Sequence, residues 1–443
     1  MKDMTILNRM LAGTLLGGAM VLGSITPLMA KENSTALIQS EQTQGTNTAD
    51  EIDGLQRFEL DEPEEYSAKQ QEAEGDGAID VVPRKVLGED SRTPVNNPSQ
   101  RPYSSIARLV ITFSNGQQFA GTGFLVSPDT LLTAGHCIYD LDYGFGQART
   151  ITAVFDNQTE NNADHVYTAK EVFVPSGYIN SDDGDTDYDF GLIRLHEPVE
   201  DTSRVVRVST FDAGISRQNL LLAGFPYSNS VPVEEQKMLE ARGITDHIIG
   251  RRTLMHYIDS ASGQSGSPML DSKNNVVAIH TFARSSEEIN GGTAIDSYVL
   301  AYVHQAARTQ PPVYRLYNPN SGEHFYTPNY SELVFLVEAG WKDEGLAWYS
   351  QDGGAPIYRV YNPNAGDHHY TSDRSEVEFL VDAGWQDEGI GWYSADQSQG
   401  MEVYRVYNPN AISGAHHFTM DANERDMLVQ SGWSDEKTAF YSL

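Results

Sequence analysis

From about residue 104 the chain is a succession of short apolar or alternating runs separated by turn residues. Residues 106–113, 123–126, 150–155 and 205–209 are such runs, and residues 219–223, 254–258 and 276–281 continue them. Runs of this length, rich in Val, Ile, Leu, Phe and Thr and bounded by Gly, Asn, Asp and Ser, predict strands rather than amphipathic helices. Only residues 297–307 carry a helical pattern in this region. The expectation is a mainly β fold of two antiparallel barrels.

After Thr309-Gln310-Pro311-Pro312 the pattern changes to a repeat. Tyr314-Arg315-Leu316-Tyr317-Asn318-Pro319-Asn320 recurs as Tyr358-Arg359-Val360-Tyr361-Asn362-Pro363-Asn364 and as Tyr404-Arg405-Val406-Tyr407-Asn408-Pro409-Asn410. Each copy continues to a His-aromatic-Thr or His-His-aromatic-Thr run and a Gly-Trp pair, and reads strand, turn, strand, short helix, strand. One unit of this size cannot cover its own apolar face, so the three are expected to close around a pseudo-threefold axis or stack in a row. The repeated aromatics read first as core, with a cell-wall or carbohydrate ligand as the functional alternative. His368-His369 and His416-His417 fall at equivalent repeat positions, where Phe325 replaces one member, so repeat architecture accounts for them better than a metal site does.

The remaining segments read as processing elements. Residues 1–30 carry Lys2 and Arg9, a short apolar run and Pro27-Leu28-Met29-Ala30, the pattern of a secretory signal peptide. Residues 31–85 are acidic, polar and poor in aromatics, a composition that rarely closes a core, and read as a propeptide ending at Arg84-Lys85. The organisation expected is signal 1–30, propeptide 31–85, catalytic domain 86–308, linker 309–312 and repeats 313–443.

Charge and cysteine content narrow the compartment and partners. With 62 acidic against 30 basic side chains the formal charge is −32, which disfavours nucleic acid and anionic membrane. No later run is apolar for the roughly 20 residues of a membrane span. Cys137 is the single cysteine, so no intrachain disulfide forms, and it reads as a small buried hydrophobe. An exported, extracellular, monomeric protein acting on protein or peptide substrates is expected.

The chemistry gathers in three places. Thr133-Ala134-Gly135-His136-Cys137 offers a base, Asp187-Tyr188-Asp189-Phe190-Gly191 an orienting carboxylate, and Ser262-Gly263-Gln264-Ser265-Gly266-Ser267-Pro268 a serine between glycines. A serine hydroxyl is a weak nucleophile at neutral pH, so an imidazole must take its proton and a carboxylate must hold that imidazole's tautomer. His136, Asp189 and Ser265 fill those roles, and the backbone N–H groups of Gly263 and Ser265 are the candidate oxyanion hole.

These blocks resemble the active-site segments of chymotrypsin-like serine proteases, which implies two six-stranded barrels. Val86-Leu87-Gly88-Glu89-Asp90-Ser91-Arg92-Thr93, Phe173-Val174-Pro175-Ser176-Gly177-Tyr178 and Val277-Ala278-Ile279-His280-Thr281 are further similar to bacterial glutamyl endopeptidases. The resemblance implies cleavage after Glu, with His280 and Ser260 lining the primary pocket and the freed α-amine of Val86 contributing to it. An imidazole donor can pair with a Glu side chain that an apolar pocket would reject. Cleavage after Lys85 is then an activation step performed in trans, and the absence of Glu between Glu288 and Glu323 keeps the linker intact.

The alternatives are a trypsin-like Lys/Arg protease using Asp259, six residues before Ser265, and a surface-binding protein in which the protease domain is subordinate. No cofactor is expected. Ser181-Asp182-Asp183-Gly184-Asp185-Thr186-Asp187 is a candidate structural calcium loop that lacks EF-hand spacing and reads first as a solvated acidic loop.

Overall fold

The computed structural model describes residues 55–61, 86–156, 165–181, 185–215, 217–228, 236–284, 288–411 and 413–443, without the Arg284 side chain. Residues 1–30, read as a signal segment, Arg84-Lys85, most of the stretch read as a propeptide and Asp182 to Gly184 lie outside them.

Strands β1 (Leu55–Glu59), β2 (Thr93–Pro94), β3 (Ile106–Phe113), β4 (Gln118–Ser127), β5 (Thr130–Thr133), β6 (Tyr139–Asp140), β7 (Gly146–Phe155), β8 (Val166–Pro175) and β9 (Gly191–Leu195) come first. In β3 and β4 the continuous apolar stretches are buried because both faces are covered. Six of these strands, in the order β8-β9-β5-β4-β3-β7, close into a barrel by the β7–β8 pairing. Leu109, Ile111, Leu125, Leu131, Ile151, Val172 and Ile193 fill it. The one-turn helix α1 (Ser176–Ile179) follows β8.

Strands β10 (Asn219–Gly224), β11 (Leu239–Ile249), β12 (Thr253–His256), β13 (Pro268–Leu270), β14 (Val276–Arg284) and β15 (Ile289–Ala294) form the second barrel. Its order is β10-β13-β14-β15-β12-β11, closed by β10–β11. Leu220, Leu222, Leu254, Met269 and Ala278 fill it. The expected helix is present as α2 (Ser297–Ala307), capped by Asp296, whose carboxylate accepts the Val299 N–H at 3.0 Å.

Two expectations need correction. Residues 205–209 form no strand: only Val208 bridges, in parallel, to Val276, while Val206 and Val208 are buried in the core between the barrels. The alternation there buries one face of an extended connection. The polar composition of residues 31–85 also hides a strand, since β1 adds antiparallel to the β8 edge of the first barrel.

Each repeat folds as read. Strands β16 (Pro312–Tyr317), β17 (His324–Thr327) and β18 (Lys342–Tyr349) with helix α3 (Tyr330–Glu338) make the first. Strands β19 (Ala355–Asn362), β20 (Asp367–Thr371) and β21 (Gln386–Ser394) with α4 (Arg374–Asp382) make the second. Strands β22 (Met401–Tyr407), β23 (His416–Thr419) and β24 (Ser434–Ser442) with α5 (Ala422–Gln430) make the third.

The repeats close in a ring rather than a row. Gln351 N donates to Tyr393 O, Ala395 N to Tyr441 O and Leu443 N to Tyr349 O, so each repeat hands a backbone bond to the next and the third returns to the first. Tyr326, Tyr370 and Phe418 meet pairwise at 5.6 to 5.7 Å, with Trp348, Trp392 and Phe440 beneath them in one shared core. Arg315, Arg359 and Arg405 sit at the seams, each paired with a Glu of its own repeat and a Glu on a neighbour's helix. The paired histidines also lie in the seams: His369 meets His416, and His324 meets His417, each at 4.5 Å between ring centroids.

The linker is held rather than free. Thr309 O bonds His304 Nδ1 at 2.6 Å and Pro311 O accepts from Ser350 N. Tyr314, Leu316, Phe325 and Leu336 of the first repeat share a core with Val299 and Tyr302 of α2.

Candidate active site

The nucleophile turn is built by close approach of the two barrels. Thr122 of β4 donates its N–H to Ser265 O at 2.8 Å and its hydroxyl to Gly263 O at 2.9 Å, while its Oγ1 accepts the Phe225 N–H. Glycine is required on both sides of Ser265. Gly263 has φ +86° and a Cβ there would stand 2.6 Å from Tyr227 N; Gly266 has φ +83° and its Cβ would stand 2.1 Å from Thr122 O. The amides of Gln264, Gly266 and Ser267 donate to Ala261 O, His280 O and Gln264 O. Among the described residues no such bond uses the Gly263 or Ser265 N–H.

His136 sits on a 3-10 turn directly after β5, and Asp189 directly before β9, which pairs with β5. That pairing brings base and carboxylate together. His136 Nε2 lies 2.6 Å from Ser265 Oγ and His136 Nδ1 lies 2.9 Å from Asp189 Oδ2; the backbone N–H of His136 also donates to Asp189 Oδ1 at 3.0 Å. Burial alone would depress the imidazole pKa, but the adjacent Asp189 carboxylate outweighs it and holds His136 above the usual value. The arrangement can pass a proton from Ser265 to His136 while Asp189 stabilises the imidazolium. Cys137 is buried beside it, its Sγ 3.8 Å from Ser265 O.

His280, in β14, is fully buried against the same turn: its N–H donates to Ser267 O at 2.9 Å and its carbonyl accepts the Gly266 N–H at 2.8 Å. Behind it stands a residue that the sequence did not single out. His256 Nε2 lies 3.2 Å from His280 Nδ1, and His256 Nδ1 accepts the Ile258 N–H at 3.2 Å. Burial pushes the His256 pKa down to about 3, so the ring is neutral with its proton on Nε2. The ring also bonds the backbone of Gly291, and its Nε2 is within hydrogen-bond distance of His280 Nδ1. Nothing local in Leu254-Met255-His256 signals this, because the contact spans two strands.

Ser260 is fully buried, and its hydroxyl has no hydrogen-bond partner among the described residues. Asp259 beside it is 4% exposed and engaged: Oδ1 accepts the Leu87 N–H at 2.6 Å, and Oδ2 accepts both the N–H and the hydroxyl of Ser91 at 2.9 and 2.6 Å. Its role is therefore to seat the segment that starts at the half-buried Val86. Asp187, the end of the acidic loop, is likewise occupied, taking the N–H groups of Arg251, Arg252 and Thr253 and the Thr253 hydroxyl. Although burial opposes it, these bonds hold the Asp187 pKa below the usual carboxylate value. Among the described residues no group of three or more His, Cys, Asp and Glu side chains is placed to hold a metal ion.

Six-stranded barrels, a serine-histidine-aspartate triad at their junction and the trypsin sequence pattern over residues 94–304 agree. Residues 94–304 match the trypsin family model. The chain is 29% identical over 237 residues to an extracellular metalloprotease of Bacillus subtilis, a match spanning 50% of this chain and 69% of that protein. It is 27% identical over 214 residues to a glutamyl endopeptidase of Bacillus licheniformis, spanning 48% and 63%. It is 24% identical over 225 residues to a glutamyl endopeptidase of Staphylococcus aureus, spanning 50% and 58%.

A solved structure of a Glu endopeptidase in complex with MPD aligns with a TM-score of 0.45 and 26% identity, over 51% of this chain and 100% of that one. Residues 312–443 match a domain of unknown function (DUF5648). The catalytic half of the chain is a serine endopeptidase domain. Among the described residues no helix is long and apolar enough to cross a membrane.

Proposed function

We propose that the chain is a secreted endopeptidase that cuts after Glu, and that it is made as a zymogen released by a basic-specific protease acting after Lys85. The hydrolytic mechanism follows from the triad: His136 takes the Ser265 proton as Oγ attacks the peptide carbonyl, and the Gly263 and Ser265 amides hold the oxyanion. His136 then returns the proton to the leaving amine, and water repeats the cycle on the acyl-enzyme.

The observation that carries the Glu preference is the state of the pocket residues. His280 is buried with its ring against the neutral His256, the buried Ser260 hydroxyl lacks a partner among the described residues, and Asp259 has both oxygens engaged by the Leu87 and Ser91 groups. Donors without a free carboxylate suit an acidic side chain and oppose Lys or Arg. Digestion of a defined peptide library by the form starting at Val86 should place Glu at the cut position; cuts mainly after Lys or Arg would overturn the assignment. Ser265→Ala should abolish turnover, and persistent hydrolysis would show another nucleophile.

The repeat ring offers less to a sugar than its composition implies, because Tyr326, Tyr370, Trp348 and Trp392 are core. Among the tryptophans of the repeats, the half-buried Trp341, Trp385 and Trp433 are the ones a cell-wall or carbohydrate ligand could reach. Retention of residues 313–443 on cell-wall material tests it.

A further inference from the structure

Residues 55–61 lie in the stretch read as propeptide, yet they are anchored to the first barrel. β1 pairs with β8 over five residues, from Leu55↔Pro175 to Glu59↔Glu171, and the chain continues with Leu60 N donating to Lys170 O at 2.9 Å and Asp61 N to Arg149 O at 3.0 Å. Side chains reinforce the backbone. Leu55 packs on the core between the barrels, Phe58 and Leu60 on the first barrel's core, and Phe58 lies 5.7 Å from the Tyr139 ring. Arg57 pairs with Glu171, a carboxylate only 1% exposed whose other partner is Arg194 at 2.8 Å.

We propose that the β8 edge is a strand-binding site whose occupant is the chain's own segment 55–61, and that this segment stays seated after the chain is cut between Lys85 and Val86. The proposal rests on the maturation reading only for the cut itself. Strand addition supplies main-chain bonds along an edge, and apolar side chains at alternate positions supply the specificity. The contacts are all made by residues 55–61, so a cut at residue 85 removes none of them. Departure of the segment would open a sheet edge at residues 171–175 and strip the buried Glu171 of one of its two guanidinium partners. The partners of the segment are β7, β8, Tyr139 and, through Leu55, the core between the barrels, none of them a triad residue, so the retained strand supports the barrel while the active site works.

The test uses the full chain carrying Ser265→Ala, so that no self-digestion confuses the result. The chain is cut with a Lys-specific protease, N-terminal sequencing reads whether Val86 is exposed, and gel filtration with native mass spectrometry follows the piece containing residues 55–61. Co-elution at one copy per barrel is expected, and its loss by at least tenfold in the double variant Arg57→Glu, Phe58→Asp. A piece that elutes separately after Val86 is exposed, or retention unchanged in the double variant, overturns the proposal while leaving the maturation reading intact. If no cut occurs after Lys85, the maturation reading fails, and docking is read in the uncut chain by hydrogen exchange. Slow exchange at the Leu60 and Asp61 amides upholds the strand site, and exchange at the unprotected rate overturns it.

Discussion

His256 Nε2 lies 3.2 Å from Nδ1 of His280, and His256 Nδ1 accepts the Ile258 N–H. This second imidazole braces the first, the proposed donor to substrate in the pocket. His256→Leu should therefore raise KM for Glu peptides about tenfold with a smaller change in kcat. It should also lower stability by about 1–3 kcal/mol through loss of the buried His256–His280 contact. Steady-state kinetics on Glu and Gln peptides, with thermal unfolding alongside, check both.

The Asp189 carboxylate raises the His136 pKa against the effect of burial. Because only the neutral ring can accept the Ser265 proton, the acid limb of kcat/KM should lie on the alkaline side of the ordinary imidazole value of about 6.5. Asp189→Asn should move that limb to lower pH and reduce kcat by about 10⁴-fold. A pH profile of both forms decides it, and an unmoved limb would contradict the carboxylate's role.

Acid should unfold the protein through its buried imidazoles. Burial depresses His256, His324 and His416 to about 3, with the neighbouring histidine adding to the effect at the last two. The unfolded chain protonates these rings near pH 6.5 and the folded chain does not. Their contribution is therefore complete above about pH 6.5 and is lost as pH falls towards 3, by up to about 1.4 kcal/mol per pH unit for each ring. Denaturant midpoints measured between pH 7 and 4 should fall accordingly, and His416→Phe should flatten the slope.

Gly263→Ala should be severe for its size. The residue has φ +86°, and the new Cβ would meet Tyr227 N at 2.6 Å and Phe225 O at 2.7 Å. Displacing the turn moves a proposed oxyanion donor, so kcat should fall about 10²-fold with little change in KM.

Asp259 gives the sharpest test of specificity. Asp259→Asn keeps an acceptor for Leu87 or Ser91 but removes the charge, and should raise KM severalfold without changing the preferred cut residue. Under trypsin-like recognition the same change would abolish cleavage after Lys and Arg. Cut-site profiling of the two forms separates these outcomes.

The local signals carried much of the fold. The runs at residues 106–113, 219–223 and 276–281 became β3, β10 and β14 because both faces of barrel strands are largely buried and their sequences are mostly apolar. The run at 205–209 misled for a related reason: an extended connection pressed between barrels buries the same kind of side chain without pairing. His136, Asp189 and Ser265 were legible since each sits in a short segment whose turn chemistry demands particular residues. Thr122, His256 and β1 were not, as their partners lie elsewhere in the chain.

The sequence by itself determined which segments extend, where the repeats begin, and which side chains are available for acyl transfer, because strand propensity, turn chemistry and nucleophile type act over a few residues. Tertiary structure alone decided that Thr122 clamps Gly263 from 141 residues away, that Asp259 seats Leu87 from 172 away and that Arg57 pairs with Glu171 from 114 away. It also decided that the repeats close into a ring. The Ser262-to-Pro268 segment could name a nucleophile, but the direction of its proton donors and the use of Asp259 follow from barrel closure, which selects among distant hydrogen-bond partners that local sequence leaves equivalent.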